Sequence, residues 1–180
     1  MSKKILITGG PGTGKTSLFN SLINDGFIGY EEKSRKVISS FKKKGVDQLF
    51  LTNPLLFSDL LIESRISQFN HSNKNKEENV FFDRGIPDVL AYLDFKKMKY
   101  DQHYIIACKK HRYDIVFILR PWEDIFVNDN ERYESFEESL QIDKYIYNTY
   151  KNLKYNIIEI PNMSITKRKD FVINTIKSYV

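Results

Sequence analysis

Gly9-Gly10-Pro11-Gly12-Thr13-Gly14-Lys15-Thr16 follows directly on the apolar run Lys4-Ile5-Leu6-Ile7-Thr8. The octapeptide has the spacing G-x-x-x-x-G-K-T, and the apolar run before it predicts a strand. A helix is predicted to begin at Gly14, with Leu18 and Leu22 on its buried face. This order of strand, glycine loop and helix is the setting of a Walker A phosphate-binding loop. A plain glycine turn would need neither the lysine nor the threonine.

The residue types in this loop suit a triphosphate. Gly9, Gly12 and Gly14 allow the backbone to curl so that successive N–H groups point into one concavity. Lys15 is expected to reach the outer phosphates, and the Thr16 hydroxyl is expected to ligate Mg²⁺. We therefore predict that ATP or GTP binds with Mg²⁺ on the residues from the loop to the first helical turn: Gly10, Pro11, Gly12, Thr13, Gly14, Lys15, Thr16 and Ser17.

Composition and charge limit the classes of protein to consider. The chain has 180 residues, 41% hydrophobic and 28% charged, a globular profile that predicts a single domain over residues 1–180. The net charge of +5 is spread along the chain, which argues against nucleic-acid binding. The single cysteine, Cys108, excludes an internal disulfide, and the three histidines lack metal-ligand spacing. Without a membrane-spanning run or a signal peptide, the sequence predicts a cytoplasmic protein.

Strands and helices are predicted to alternate along the chain. After the first strand, further strands are expected at 27–30, 80–83, 115–119 and 156–160. Helices are expected at about 31–44, 54–70, from Pro87 onward, between His103 and His111, at 136–152 and at 165–179, with a polar loop at 71–79. Short apolar strands separated by helices indicate an α/β fold, in which a buried parallel sheet carries helices on both faces. Ligands bind such sheets at the carboxyl ends of the strands.

Asp83 and Arg84 stand at one of these carboxyl ends. The strand 80–83 is apolar and ends in a carboxylate, which is the form of a Walker B element. Asp83 would hold Mg²⁺ directly or through water, unless it only caps the next helix. Arg84 would clamp a phosphate or a substrate hydroxyl, unless it only forms an ion pair with Glu32 or Asp88.

Acidic residues also follow the second strand. At this edge of the sheet, Glu32 or its neighbour Glu31 would accept a proton from a substrate hydroxyl that attacks the γ-phosphate. The alternative is a solvated helix N-terminus, where the helix dipole favours acidic residues in any case. Arg35, one turn further on, would bind an anionic group of the substrate.

The segment between the fourth strand and the long helix is rich in charge. Residues 129–134 read Asp-Asn-Glu-Arg-Tyr-Glu, and a lid is predicted at about 121–138. Arg132 would then act as an internal arginine finger, the alternative being an ordinary charged helix start. Trp122 is expected to anchor a lid hinge or the core rather than to stack on a base.

Several blocks of the sequence resemble a known family. They are GGPGTGKTSL (9–18), FFDRGIPDVLAYL (81–93), YDIVFILRPW (113–122), DNERYESFEE (129–138) and YNIIEIP (155–161). In these blocks the chain resembles the nucleoside-kinase-like P-loop proteins known as an AAA-type ATPase/kinase domain. Their relatives include the ribosylnicotinamide kinase domain of the bacterial NAD-biosynthesis regulator.

The resemblance carries its own expectations about fold and site. It implies a P-loop NTPase fold of the nucleotide-kinase type, a doubly wound sheet of five parallel strands in the order 2-3-1-4-5. It also implies ATP or GTP with Mg²⁺ in the phosphate loop and a lid around Arg132. By similarity to deoxynucleoside and thymidylate kinases, Asp83 and Arg84 correspond to their acidic-Arg pair. Glu32 lies near the position where the deoxynucleoside kinases have a catalytic glutamate.

Two functions are open from the sequence. The first is a small-molecule, nucleoside-like kinase that transfers the γ-phosphate of ATP to an acceptor between the end of strand two, Arg84 and the helix 54–69. Phe57 or Tyr92 would be available to stack on the acceptor's ring. The second is a slow ATPase or GTPase that acts as a nucleotide-dependent regulatory switch on a partner. The residues expected to act in catalysis are Lys15, Asp83, Arg84, Arg132 and Glu32.

Overall fold

Five strands and eight helices account for most of the residues that the structure, a computed structural model, describes. These are residues 3–42, 49–75, 78–126 and 134–179, without the side chains of Arg35 and Lys36. The strands are β1 Lys4–Gly9, β2 Ile28–Tyr30, β3 Val80–Asp83, β4 Ile115–Leu119 and β5 Ile157–Ile160. The helices are α1 Lys15–Asn24, α2 Ser34–Lys42, α3 Leu49–Thr52, α4 Pro54–Ser72, α5 Ile86–Phe95, α6 Gln102–Lys110, α7 Phe136–Asn152 and α8 Ile165–Ser178.

All neighbouring strands of the sheet are parallel, and their order is β2-β3-β1-β4-β5. This confirms the doubly wound sheet with the order 2-3-1-4-5. In the β1–β3 pair, Ile7 lies opposite Asp83, and in the β1–β4 pair Gly9 lies opposite Leu119. Because the strands run in the same direction, the residues that follow β1, β2 and β3 meet at one edge of the sheet.

Two apolar cores lie on opposite faces of the sheet. Leu6 of β1 packs in a cluster with residues of α4, α5, α6 and α7. Its neighbours Ile5 and Ile7 pack in a second cluster, with Leu18 of α1 and Val172 of α8. This alternation is the two-residue period of a strand that is buried on both faces. The sheet is therefore covered by helices on both sides.

Two element boundaries among the described residues differ from the prediction by more than one residue. Helix α2 begins at Ser34 rather than directly after β2, because Glu32 Oε1 accepts hydrogen bonds from the backbone N–H groups of Lys33 (2.9 Å) and Ser34 (3.1 Å). Helix α4 continues to Ser72, so His71 is helical and does not lie in the polar loop. The short helix α3 has no counterpart in the prediction. None of the helices in the described ranges combines the length and the apolarity that crossing a membrane requires.

Gly9 offers a test of how closely β1 and β4 approach. Its φ is 140°, and a Cβ added there would lie 2.1 Å from the carbonyl oxygen of Leu119. Gly9→Ala is expected to lower the free energy of unfolding by about 3 kcal/mol, because a backbone oxygen in a paired strand cannot move aside. Gly26→Ala is the matched control, since Gly26 has a φ of 93° and nothing within 4 Å of the added Cβ. It should cost only the left-handed strain of about 1 kcal/mol. Equal losses in urea unfolding would contradict the close approach.

Candidate functional site

The phosphate-binding loop has the backbone shape of an anion site. Gly12 and Gly14 have φ values of 73° and 84°, in the left-handed region, so the loop curls between β1 and α1. Lys15 is only 6% exposed, and its Nζ donates to the carbonyl oxygen of Gly10 (2.5 Å) and to the hydroxyl of Thr13 (3.2 Å). Burial lowers the pKa of Lys15 to about 7, and the charge of Arg84 acts in the same direction. A bound phosphate would favour the charged ammonium.

Two distant helices hold the loop in place. Asp143 of α7 accepts a hydrogen bond from the backbone N–H of Gly10 at 3.2 Å, and Ser139 of the same helix donates to the carbonyl oxygen of Pro11 at 2.6 Å. Arg168 of α8 donates to the carbonyl oxygen of Thr13 at 2.9 Å. The loop is therefore positioned by side chains more than a hundred residues away in the sequence.

Asp83 lies beside the start of α1 and is 4% exposed. Its Oδ2 accepts a hydrogen bond from the Thr16 hydroxyl at 3.2 Å, while its buried Oδ1 has no hydrogen-bond partner among the described residues. Burial raises the pKa of the Asp83 carboxyl. The alternative role as a helix cap is wrong, because the N-terminus of α5 is capped by Asp88, whose Oδ2 accepts from the N–H of Gly85 at 2.9 Å.

The Asp83 Oδ1 oxygen and the Thr16 hydroxyl oxygen suit the Mg²⁺ that the phosphate-binding loop implies. A buried carboxylate oxygen without a partner is costly unless a cation or a donor satisfies it, and Mg²⁺ prefers hard oxygen ligands. The Thr16 hydroxyl is the second ligand that the described residues offer at this point. Within the described ranges there is no group of three or more His, Cys, Asp or Glu side chains that could hold a metal ion by themselves.

A network of buried charges extends from the carboxyl end of β2. Glu32 bonds to Arg84 Nε at 2.5 Å through Oε2 and to Arg65 Nη2 at 3.0 Å through Oε1. Arg84 also reaches Asp88 at 3.3 Å, and Asp88 accepts a hydrogen bond from Tyr150 at 2.6 Å. Burial alone would raise the pKa of Glu32, but the guanidinium groups of Arg65 and Arg84 hold it at about 2. Glu32 is therefore a carboxylate at any physiological pH.

The phosphate loop and this network open into one cavity. Its volume is about 260 Å³, and Arg84 is directed there by a left-handed backbone with a φ of 68°. The walls combine loop residues, the charged network and apolar or aromatic side chains from five helices, α2, α3, α4, α5 and α7. They are Pro11, Gly12, Lys15, Thr16, Glu32, Ser34, Ile38, Phe50, Phe57, Ser58, Leu61, Arg65, Asp83, Arg84, Asp88, Val89, Tyr92, Glu134 and Ile142.

Four of the five residues expected to act in catalysis meet at this cavity. Lys15, Thr16, Glu32, Asp83 and Arg84 all line it, together with the two aromatic side chains expected to contact an acceptor ring. The lid residue Arg132 and the side chain of Arg35 lie outside what the structure describes, and their expected roles stay predictions. Trp122 does not line the cavity; its ring faces the guanidinium of Arg168, 5.3 Å away.

Four polar residues of the site were missed by the sequence analysis: Arg65, Ser139, Asp143 and Arg168. For three of them the sequence spacing would have indicated a buried position. Arg65 lies four residues from both Leu61 and Phe69, so it falls on the buried face of α4, where a charged side chain needs a partner. Ser139 and Asp143 are likewise four residues apart on one face of α7.

The sequence of this chain matches one family model over most of its length. Residues 4–168 match the family model described as AAA domain. The chain belongs to this AAA domain family. No curated protein matches its sequence.

Solved structures share the fold over nearly the whole chain. Deoxyadenosine kinase from M. mycoides, with the products dCMP and dCDP bound, is 17% identical with a TM-score of 0.73, covering 97% of this chain and 99% of that one. Thymidylate kinase from Candida albicans is 16% identical with a TM-score of 0.71, and the match covers 99% of this chain and 92% of the kinase. The NadR protein in complex with NR is 16% identical with a TM-score of 0.74, and the match covers 99% of this chain but 50% of NadR. At these identities the likeness shows the fold.

The charged network leads to a pH-dependent prediction. The folded pKa of Glu32 is about 2, below the ordinary value of 4.5, so the stabilising effect is fully present above pH 4.5 and is lost as the pH falls toward 2. Glu32→Gln is expected to lower the free energy of unfolding by about 3 kcal/mol at pH 7, because the buried Arg65 loses its carboxylate partner and Arg84 loses one of its two partners. The difference from the wild type should shrink below pH 4.5.

Urea unfolding between pH 7 and pH 3 measures this difference. Glu63→Gln, which changes an exposed glutamate of α4, is the control and should unfold like the wild type at each pH. A Glu32→Gln penalty that is constant over this range would show that the carboxylate charge does not stabilise the network.

Proposed function

We propose that the chain transfers the γ-phosphate of ATP or GTP to a hydroxyl group of a small, nucleoside-like acceptor. The observation that carries the proposal is the single cavity that Lys15 and Thr16 share with Glu32, Arg84 and Tyr92. A donor on the loop and an acceptor among the aromatic side chains would then be neighbours in one cavity. Phosphoryl transfer depends chiefly on such positioning and on neutralising the charge of the phosphates.

On the donor side, each role follows from charge and position. The loop from Gly10 to Ser17 binds the phosphates, and Lys15 neutralises the outer ones. Thr16 and Asp83 would hold Mg²⁺, which when bound offsets the charge that develops on the phosphate oxygens. The predicted lid at about 121–138 would bring Arg132 to the same phosphates.

On the acceptor side, Glu32 accepts a hydrogen bond from the attacking hydroxyl and so orients it. With a pKa of about 2, Glu32 is a weak proton acceptor. A loose transition state for phosphoryl transfer does not demand a strong base. Arg84, fixed between Glu32 and Asp88, has its guanidinium at the point where the transferred phosphate would meet the acceptor.

The charge balance favours a hydroxyl acceptor over a phosphate acceptor. Among the described cavity residues, the two cations at the acceptor end, Arg65 and Arg84, are already paired with Glu32 and Asp88. An acceptor that carries a phosphate would place its negative charge next to these two carboxylates. A nucleoside brings no such charge, and its ring would pack on Phe57 and Tyr92.

A product assay tests the proposal. The chain is incubated with Mg²⁺ and γ-labelled ATP or GTP, with a panel of nucleosides, ribosylnicotinamide and the matching monophosphates. We expect the label in a phosphorylated nucleoside, in equal amount to the diphosphate formed, and much less transfer to any monophosphate. Label released only as inorganic phosphate, at a rate that no acceptor changes and a protein partner does change, would instead favour the slow regulatory NTPase.

Lys15→Ala is expected to abolish triphosphate binding. The substitution removes the ammonium group that neutralises the outer phosphates, so the affinity for Mg²⁺·ATP should fall by about 100-fold or more in calorimetric titration. Near-normal affinity would contradict the assignment of the loop.

Asp83→Asn should affect turnover more than binding. Loss of the carboxylate charge removes a ligand for Mg²⁺, so we expect kcat to fall by about 100-fold while the KM for ATP changes by less than about threefold. Asp114→Asn is the matched control, because Asp114 precedes β4 at the opposite edge, where it accepts from the N–H of Lys4 at 2.7 Å. An unchanged rate in Asp83→Asn would exclude the metal role.

A further inference from the structure

Arg168 is a buried cation on the far side of the phosphate loop. It belongs to the first turns of α8, its side chain is 1% exposed, and it does not line the cavity that Lys15 faces. Its Nη1 donates to the carbonyl oxygen of Thr13 at 2.9 Å and lies 3.0 Å from the position that a Cβ of Gly14 would occupy. The guanidinium is therefore in direct contact with the loop.

Unlike the other arginines near the site, Arg168 has no carboxylate partner among the described residues. Arg65 and Arg84 pair with Glu32, and Arg120 pairs with Asp143 at 3.1 Å. Arg168 has only the Thr13 carbonyl and the ring of Trp122 beside it, and its buried Nε has no hydrogen-bond partner within the described ranges.

A buried guanidinium to which the described residues offer no counter-charge is costly, so its presence needs a reason. One hydrogen bond to a carbonyl oxygen and one cation–π contact do not offset the loss of hydration of a full charge. Bracing the loop alone would need a hydrogen-bond donor but not a charge, and a neutral amide would serve. An anion bound at the loop would supply the missing counter-charge.

We propose that Arg168 is a donor-binding residue, a second cation that neutralises the phosphate chain of the bound nucleotide from the α8 side of the loop. Lys15 acts from the cavity side, so the two positive charges flank the loop. Trp122 covers the guanidinium and keeps water from it. The inference rests on the triphosphate-binding part of the proposed function and does not depend on the acceptor.

Two substitutions separate charge from bracing. Arg168→Lys keeps the positive charge, whereas Arg168→Gln keeps a hydrogen-bond donor for Thr13 but removes the charge. In calorimetric titration with Mg²⁺·ATP and no acceptor, Arg168→Gln should bind about tenfold or more weakly than the wild type, since the positive charge that neutralises the phosphates is lost. Arg168→Lys should recover most of this affinity. Arg112→Gln, an exposed arginine that bonds to the carbonyl oxygen of Leu153, is the control and should bind normally.

The opposite pattern would overturn the proposal. If Arg168→Gln and Arg168→Lys bind equally well, or if the Gln variant binds better than the Lys variant, Arg168 only braces the loop. Should Lys15→Ala lose binding while both Arg168 variants bind like the wild type, the loop assignment stands and Arg168 has no role in it. If none of these variants loses ATP binding, the triphosphate site itself is refuted.

The wild-type protein provides a second readout that does not depend on how the variants fold. Trp122 is the single tryptophan of the chain, so its fluorescence reports only on the ring that packs over Arg168. We expect the emission to change as Mg²⁺·ATP binds, with the same midpoint as calorimetry. Emission that stays constant at a nucleotide concentration that saturates calorimetric binding would contradict the proposal.

Discussion

The parallel pairing of β1 with β3 is the constraint on which the site depends. It sets Ile7 opposite Asp83, and so brings the end of β3 beside the loop that follows β1. The hydrogen bond from Thr16 to Asp83 is a direct result of that register. A shift of one residue would send the Asp83 side chain to the opposite face of the sheet, because side chains alternate along a strand. The register of β1 and β3 therefore determines whether Asp83 can act together with the loop.

Charge balance then divides the site into two ends with different chemistry. At the acceptor end, Arg65 and Arg84 are neutralised by Glu32 and Asp88, so this end suits an uncharged molecule with a hydroxyl group. At the loop, Lys15 and Arg168 donate to backbone carbonyl oxygens and form no ion pair among the described residues, which suits a polyphosphate. We therefore propose an uncharged acceptor at one end of the cavity and the phosphates of the donor at the other.

Local patterns in the sequence predicted the fold and the donor side of the site. The loop spacing, the apolar strand that ends in Asp83, and the alternation of strands and helices are all short-range signals, and the sheet order came from a family resemblance. The long-range hydrogen bonds that hold the loop could not be predicted in this way. Asp143 and Arg168 contact the loop because α7 and α8 pack on opposite faces of the sheet. Helix α2 was predicted to start too early because the capping role of the Glu32 side chain depends on how the chain turns after β2.

The central claim is that donor and acceptor occupy one continuous cavity between the loop and the aromatic side chains. Binding of a bisubstrate compound, in which the phosphate chain of ATP is joined to the hydroxyl oxygen of the nucleoside that the chain phosphorylates, tests it most directly. Linking two ligands whose sites adjoin raises affinity without any new contact. The compound should bind at least about tenfold more tightly than ATP and compete with both substrates. A compound that competes with ATP alone, and binds no more tightly, would contradict a shared cavity.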